Sequence, residues 1–341
     1  MLKPRAKANR DTKANRLGSL LGFVVSGLLV FLAIWLIVNR QYVVDAVSVW
    51  TYAPISEVEQ LANATGFTSR GKFFFYATRP AIESQADFNR SCPRKETSSP
   101  ILGCYTGDSR IYIYNVTNEK LNGIEEVTAA HETLHAVWAR MGAAERATLE
   151  SQLKSAYAQL NDANLKQRMD YYQRTEPGEF ANELHSILGT EVSNLDSSLE
   201  TYYNQYFSRS TVLAAHDKYS SVYDELYNRA NELTEKMTTL ASSIQTDQKA
   251  YEVKADAYTN DVTAFNQKAS SGQFSSQSEF LSERSVLIAR LDALNAERDA
   301  INADITTYNS YYAEYNSIAS QIEGLNSSLD SFKKIEAPSA V

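Results

Sequence analysis

Four stretches of the chain carry a clear hydrophobic pattern. Residues 17–38 are apolar or small with no charge over 22 positions. At about 1.5 Å per residue, a helix of that length crosses a hydrocarbon core roughly 30 Å thick. Val127, Ala130, Leu134, Val137 and Met141 step by three and four, which predicts an amphipathic helix. Asn122 and Glu125 supply a capping start for it, and Gly142 a stop. Phe180, Leu184 and Ile187 predict a second helix, with Thr175 as a capping residue and Pro177 in a first turn. From Leu226 to Ala269, and again from Leu287 to Leu329, apolar positions alternate in steps of three and four, with SSGQFSS (270–276) between the runs. That spacing predicts an antiparallel coiled-coil hairpin over 212–334. An ordinary helical bundle is the alternative. The aromatic and β-branched runs KFFFYATRP (72–80) and RIYIYNV (110–116) read as strands. Breaks are expected at Gly142, near Asn161, at Pro177–Gly178 and at Gly189.

These patterns assemble into an α+β unit, a small sheet plus helices over 41–207, behind an N-terminal transmembrane helix and ahead of a helical hairpin. Residues 335–341 (EAPSAV at the end of the chain) read as a disordered tail.

Charge sets the orientation. Residues 1–16 carry six basic side chains and a single acid, Asp11, whereas beyond Arg40 the next basic residue is Arg70. The positive-inside bias puts the basic tail 1–16 in the cytoplasm and the rest outside, on a single-pass anchor at 17–38. A cleaved signal peptide would have a shorter apolar core and a small-residue cleavage site, and VNRQYVV follows here instead. On the outer side, Cys92 and Cys104 are expected to form a disulfide rather than remain buried thiols, and their spacing is not that of metal ligands. The net charge of −8 over 341 residues gives no reason to expect nucleic acid as a partner.

The chemistry concentrates in AAHETLHAVW (129–138). The chain has four histidines, and two of them, His131 and His135, stand four apart with Glu132 after the first. On a helix such a pair differs by about 40° around the axis and roughly 6 Å along it, so both imidazoles reach one ion. Glu132 lies about 100° further round, placed to serve as general base without being a ligand. A third ligand must come from elsewhere. Trp138 and Met141 occupy the places where a third histidine motif would continue, so a glutamate of the second helix is the remaining route. Glu179 and Glu183 lie on one side of it.

HETLH (131–135) followed by EFANE (179–183) resembles the gluzincin zinc metallopeptidases, with the closer similarity to the lethal-factor type of protease module. There a tyrosine precedes the ligand glutamate by seven residues and a second acid follows it by four. The resemblance covers 125–190. It implies a zincin fold, Zn2+ as cofactor, His131, His135 and Glu179 as ligands, Glu132 as general base, Tyr172 as a transition-state donor and Glu183 as a supporting acid. His185 competes as a ligand, and Tyr171 stands beside Tyr172.

The expected function is therefore a membrane-anchored, outward-facing zinc endopeptidase acting on a protein or peptide substrate, with the strand around Ile111–Val116 as the edge on which substrate pairs. The rival is an envelope scaffold or adaptor whose coiled-coil hairpin binds a protein partner or itself, with a structural or inactive zinc module.

Overall fold

In the computed structural model, the backbone is described for residues 11–93 and 101–330 and the side chains from Gly22 onward. Residues 1–10 of the basic tail and the tail 335–341 lie outside the described residues. The chain forms two units, one of residues 1–218 and 330–341 and one of residues 219–329.

The first unit opens with α1 (Asp11–Val38) and α2 (Arg40–Thr51), joined through Asn39. Among the described residues no single helix is long and apolar enough to cross a membrane. Gly22–Val38 and Arg40–Thr51 meet that measure together, as a pair bent by 80°. Next come α3 (Ser56–Ala64) and α4 (Ser69–Ala77). A three-stranded sheet follows, with β1 (Ala81–Glu83), α5 (Gln85–Ser91), β2 (Gly103–Tyr105) and β3 (Ile111–Tyr114) in chain order. Its strand order is β1-β3-β2, with β1 parallel and β2 antiparallel to β3. A 3-10 turn, Glu119–Leu121, leads into α6 (Ile124–Arg140), and α7 (Ala143–Gln159), α8 (Ala163–Thr175), α9 (Phe180–Thr190) and α10 (Ser197–Tyr203) complete the set.

Three expectations about this unit need correction. The aromatic run 72–80 is not a strand. Thr68 caps the backbone N–H of Gly71 at 3.1 Å and starts α4, which buries Phe75 and Ala77. A good cap and a buried helical face outweigh the β preference of aromatic residues. The strand lies just past Pro80, as β1. Secondly, β3 is the central strand, its alternate residues Ile111 and Ile113 fully buried, so among the described residues the outer strands are β1 and β2. Thirdly, the break expected at Gly189 falls one residue later, with α9 ending at Thr190. A Cβ on Gly189 would stand 2.6 Å from Leu134 Cδ1 and from the Tyr203 ring, so the missing side chain lets α9 close on α6.

Cys92 and Cys104 are paired as a disulfide, with their Cα atoms 6.0 Å apart. The bridge ties the end of α5 to the middle of β2 and closes a loop of eleven residues, a constraint worth about 2–3 kcal/mol.

The second unit is formed by α11 (Arg209–Ser270), which begins in the first unit, and α12 (Gln277–Leu329), joined by the expected turn. The two helices run antiparallel. Arg229 pairs with Glu314 at 2.7 Å, Lys254 with Glu297 at 2.6 Å, and Lys268 with Glu279 and Glu283 at 2.6 Å each. Leu233, Leu294, Ile301, Ile318 and Leu325 are buried along the seam. Each belongs to the three-and-four stepping pattern read from the sequence.

Candidate metal centre

The site is built where α6 meets α9. Ala129, Ala130 and Ala136 on α6 are fully buried beside Leu134. Gly189 of α9, whose Cβ would stand 2.6 Å from Leu134 Cδ1, lets the two helices approach closely enough for their polar side chains to meet. His131 and His135 project from α6 with ring centroids 4.8 Å apart.

Glu183, in the first turn of α9, faces both rings. Its Oε2 lies 3.7 Å from His131 Nε2 and its Oε1 3.6 Å from His135 Nε2. The ligand atoms of His131, His135 and Glu183 all lie within 4.8 Å of one another, so the three could hold a metal ion.

The third member is thus Glu183 and not Glu179. The reason lies in where α9 begins. The Pro177–Gly178 turn delays the helix to Phe180, leaving Glu179 as the residue before it. Leu184, Ile187 and Leu188 bury against neighbouring elements, and Glu183, next to Leu184, comes round to the histidines. Glu179 supports the site instead. Its Oε2 accepts from Asn182 Nδ2 at 2.8 Å, and Asn182 Oδ1 stands 2.9 Å from His135 Nδ1. That orientation assigns the His135 proton to Nδ1 and leaves the Nε2 lone pair toward Glu183 and the ligand position.

The electrostatics follow from this packing. Burial would raise the Glu183 carboxyl, but His135, His131 and the Arg168 cation outweigh it and hold the group at about 2. Burial pushes His131 down, while Glu183, Glu132 and Glu191 more than compensate and leave it above the usual histidine value. Glu132 is held up chiefly by burial and also by Glu183, against the pull of both histidines and of the Tyr105 N–H, which donates to its carboxylate. A raised carboxyl beside two imidazoles is suited to accepting and returning a proton.

Strand β2 shapes the wall over Glu132. A Cβ on Gly103 would lie 2.8 Å from Glu132 Cγ and Oε1 and 2.6 Å from Thr128 Cγ2. Only glycine lets the strand lie this close, and the disulfide at Cys104 holds it there.

His185 stands apart from the ligand group. It is fully buried, its Nε2 is 2.8 Å from the Tyr202 hydroxyl, and its ring stacks on Tyr203 with centroids 5.7 Å apart. Burial and then the two nearby histidines hold it well below the usual value, so it stays neutral. Tyr171 and Tyr172 are half-buried near the end of α8, which packs on α9, with ring centroids 6.0 Å apart.

Three supports carry no sequence signature. Asn182 reads as one more polar residue in a helix. Arg140, at the end of α6, forms a two-point ion pair with the buried Asp45 of α2, both contacts at 2.7 Å. Arg209 is buried. It donates to Leu188 O at 2.8 Å, to Gly189 O at 3.2 Å and to Val192 O, and pairs with Glu200 at 2.7 Å. It thereby satisfies the carbonyls at the C-terminal end of α9, where a cation is favoured.

No protein-family model, curated protein or solved structure matches the chain.

Proposed function

We propose that the protein is a zinc-dependent peptidase anchored in a membrane by residues 17–38, with the His131 site on the outer side. The observation that carries this reading is the grouping of His131, His135 and Glu183 within 4.8 Å, with Glu132 buried directly beside it. Two imidazoles and one carboxylate fit a catalytic zinc site, in which three protein ligands leave a position open, whereas structural zinc sites are closed and usually rich in cysteine. Both cysteines of this chain are in the disulfide. When bound, zinc supplies Lewis acidity that activates water and polarises the scissile carbonyl.

The chain's own residues have distinct tasks. His131 and His135 present Nε2 atoms, with His135 oriented by Asn182. Glu183 neutralises charge. Glu132 takes a proton at its carboxylate and delivers it to the leaving amine. The outer edge of β2, whose Tyr105 N–H donates to Glu132, would offer its remaining backbone groups to an extended peptide, in the manner of strand addition. Tyr172 is the proposed donor to the oxyanion. The resemblance to the gluzincins supports His131, His135 and Glu132 in these roles; its tyrosine spacing counts from Glu179, so with Glu183 as the ligand acid it lends no support to Tyr172. The anchor reading draws support from α1, where apolar side chains from Phe23 to Val38 are exposed, and from the basic residues that precede it.

The coiled-coil scaffold remains the second reading, favoured by the exposed Leu281, Val286 and Leu291 on α12. One experiment separates the two. The full chain, purified in detergent, should bind close to one zinc per molecule by elemental analysis and should hydrolyse members of a mixed peptide library. Glu132→Gln should keep the zinc and lose turnover by at least a hundredfold. Undiminished hydrolysis in that variant would defeat the catalytic assignment, and zinc without any hydrolysis in the parent would favour the scaffold.

A further inference from the structure

Helix α2 has two faces of opposite character. One is fastened to the first unit. Asp45 is buried in its ion pair with Arg140, and Tyr42 stacks on Phe73 of α4 with centroids 5.7 Å apart. The other face is largely open, with Val43 on it half-buried and Thr51, at its C-terminal end, accepting from Arg79 at 2.8 Å. Val44, Val47 and Trp50 are 49%, 51% and 87% exposed. At about 100° per residue they span an arc of roughly 120°, and Asp45 lies about 160° from Val47. Arg40, also exposed, falls on the same arc.

We infer that this face of α2 lies in the polar interface of the phospholipid bilayer, holding the first unit flat against the membrane. The inference rests on reading residues 17–38 as a membrane anchor. What covers the face follows from its continuity with that anchor. Only Asn39 separates α1 from α2, and the two axes differ by 80°. A helix that turns this sharply at the end of a spanning segment runs almost along the membrane plane, at headgroup depth. The composition of the open arc suits that depth. Trp prefers the boundary between hydrocarbon and water, valines enter its apolar side, and Arg40 reaches phosphate while its stem stays in contact with the acyl region. The opposite face weighs against the other geometry for this pair, a broken or re-entrant span, because α2 is pinned to the first unit through a buried carboxylate and guanidinium.

The consequence concerns access. Arg140 ends α6, the helix that carries His131, Glu132 and His135, so the Asp45–Arg140 pair fixes the metal-site helix relative to α2. With α2 in the interface, the site is held at a set height and tilt above the bilayer. The substrate class this favours is a polypeptide segment emerging from, or lying on, the same membrane.

Spin labels on the full chain test this. Single cysteines replace Leu28, Val47 and Glu57 in turn, since the native cysteines are bonded to each other and take no label. Each protein is reconstituted in phosphatidylcholine–phosphatidylglycerol vesicles, and collision with oxygen, which partitions into lipid, is compared with collision with a water-soluble nickel chelate. The Leu28 label should report the hydrocarbon core and the Glu57 label water. The Val47 label should fall between them, with oxygen collision enhanced several-fold over Glu57 and a depth near the headgroup boundary. A Val47 label as aqueous as Glu57, with Leu28 deep, overturns the inference and leaves the anchor standing. A Val47 label as deep as Leu28 overturns it in favour of a broken span, and one shielded from both reagents means that another protein covers the face. An aqueous Leu28 label removes the anchor reading itself.

Discussion

At Glu183 and Glu179 the chemistry depends on a single turn of helix. The two acids are four residues apart on the same side of the segment, and the position at which α9 starts decides between them. Glu183 meets both histidines, while Glu179 ends in a hydrogen bond to Asn182. Glu183→Ala is therefore expected to lose bound zinc, read by elemental analysis after dialysis. Glu179→Ala should keep the metal, with affinity lowered by about 10- to 100-fold, the usual cost of removing support behind a ligand. Loss of zinc in Glu179→Ala alone would return the ligand role to Glu179. Tyr172 separates in the same manner. A phenol that donates to the oxyanion acts mainly in the transition state, and loss of one such donor costs about 10²–10³ in turnover. Tyr172→Phe should lower kcat by that factor with KM and zinc content close to those of the parent, whereas Tyr171→Phe should leave kcat near the parent value. Equal rates in Tyr172→Phe and the parent remove the role.

Among the elements, β2 is the one whose placement is least forgiving. It is three residues long, carries one half of the disulfide, donates the Tyr105 N–H to Glu132 and passes within contact distance of that side chain at Gly103. Gly103→Ala would force the strand outward or turn Glu132 away from the site. The expected result is a folded, zinc-loaded protein with turnover reduced at least tenfold, seen as a fall in kcat at unchanged metal content. A fully active variant would mean that β2 does not hold the general base. This strand is also where the sequence was least legible. GCY has neither the length nor the alternation that marks a strand, and its place is set by pairing with β3 and by a bond to Cys92 twelve residues earlier. By contrast β3 was legible because Ile111 and Ile113 alternate with half-buried tyrosines, and α6 because its apolar stripe repeats over about four turns. The run 72–80 misled because aromatic residues report burial as much as strand. The cue that outweighed them, a threonine before a short polar stretch, becomes decisive only once α4 has α2 and α6 to pack on. Asn182, Asp45, Arg140 and Arg209 were invisible for a related reason. Each acts on a partner far away in the chain, and no local period encodes such a pairing.

At the scale of the whole molecule, the metal-site residues and the long helical pair belong to separate units. His131, Glu132, His135, Glu183 and all the supports named above lie in the first unit, and the second is closed by its own seam and ion pairs. If the helical pair recruits substrate, its removal should leave small-molecule chemistry intact. The ends of the segment permit a clean test. Tyr223, near the start of the second unit, has its hydroxyl 3.2 Å from Asn326 Oδ1, near its end. Replacing residues 219–329 by a short Gly/Ser linker thus joins points that are already neighbours, and loop closure over a few residues adds little strain. The shortened chain should retain zinc and hydrolyse a small fluorogenic peptide within about threefold of the full chain, while cleavage of protein substrates identified with the parent falls by tenfold or more through KM. Loss of small-peptide hydrolysis with zinc retained would show that the helical pair completes the site. Equal cleavage of proteins by both forms would remove the recruiting role and leave the pair a function outside catalysis.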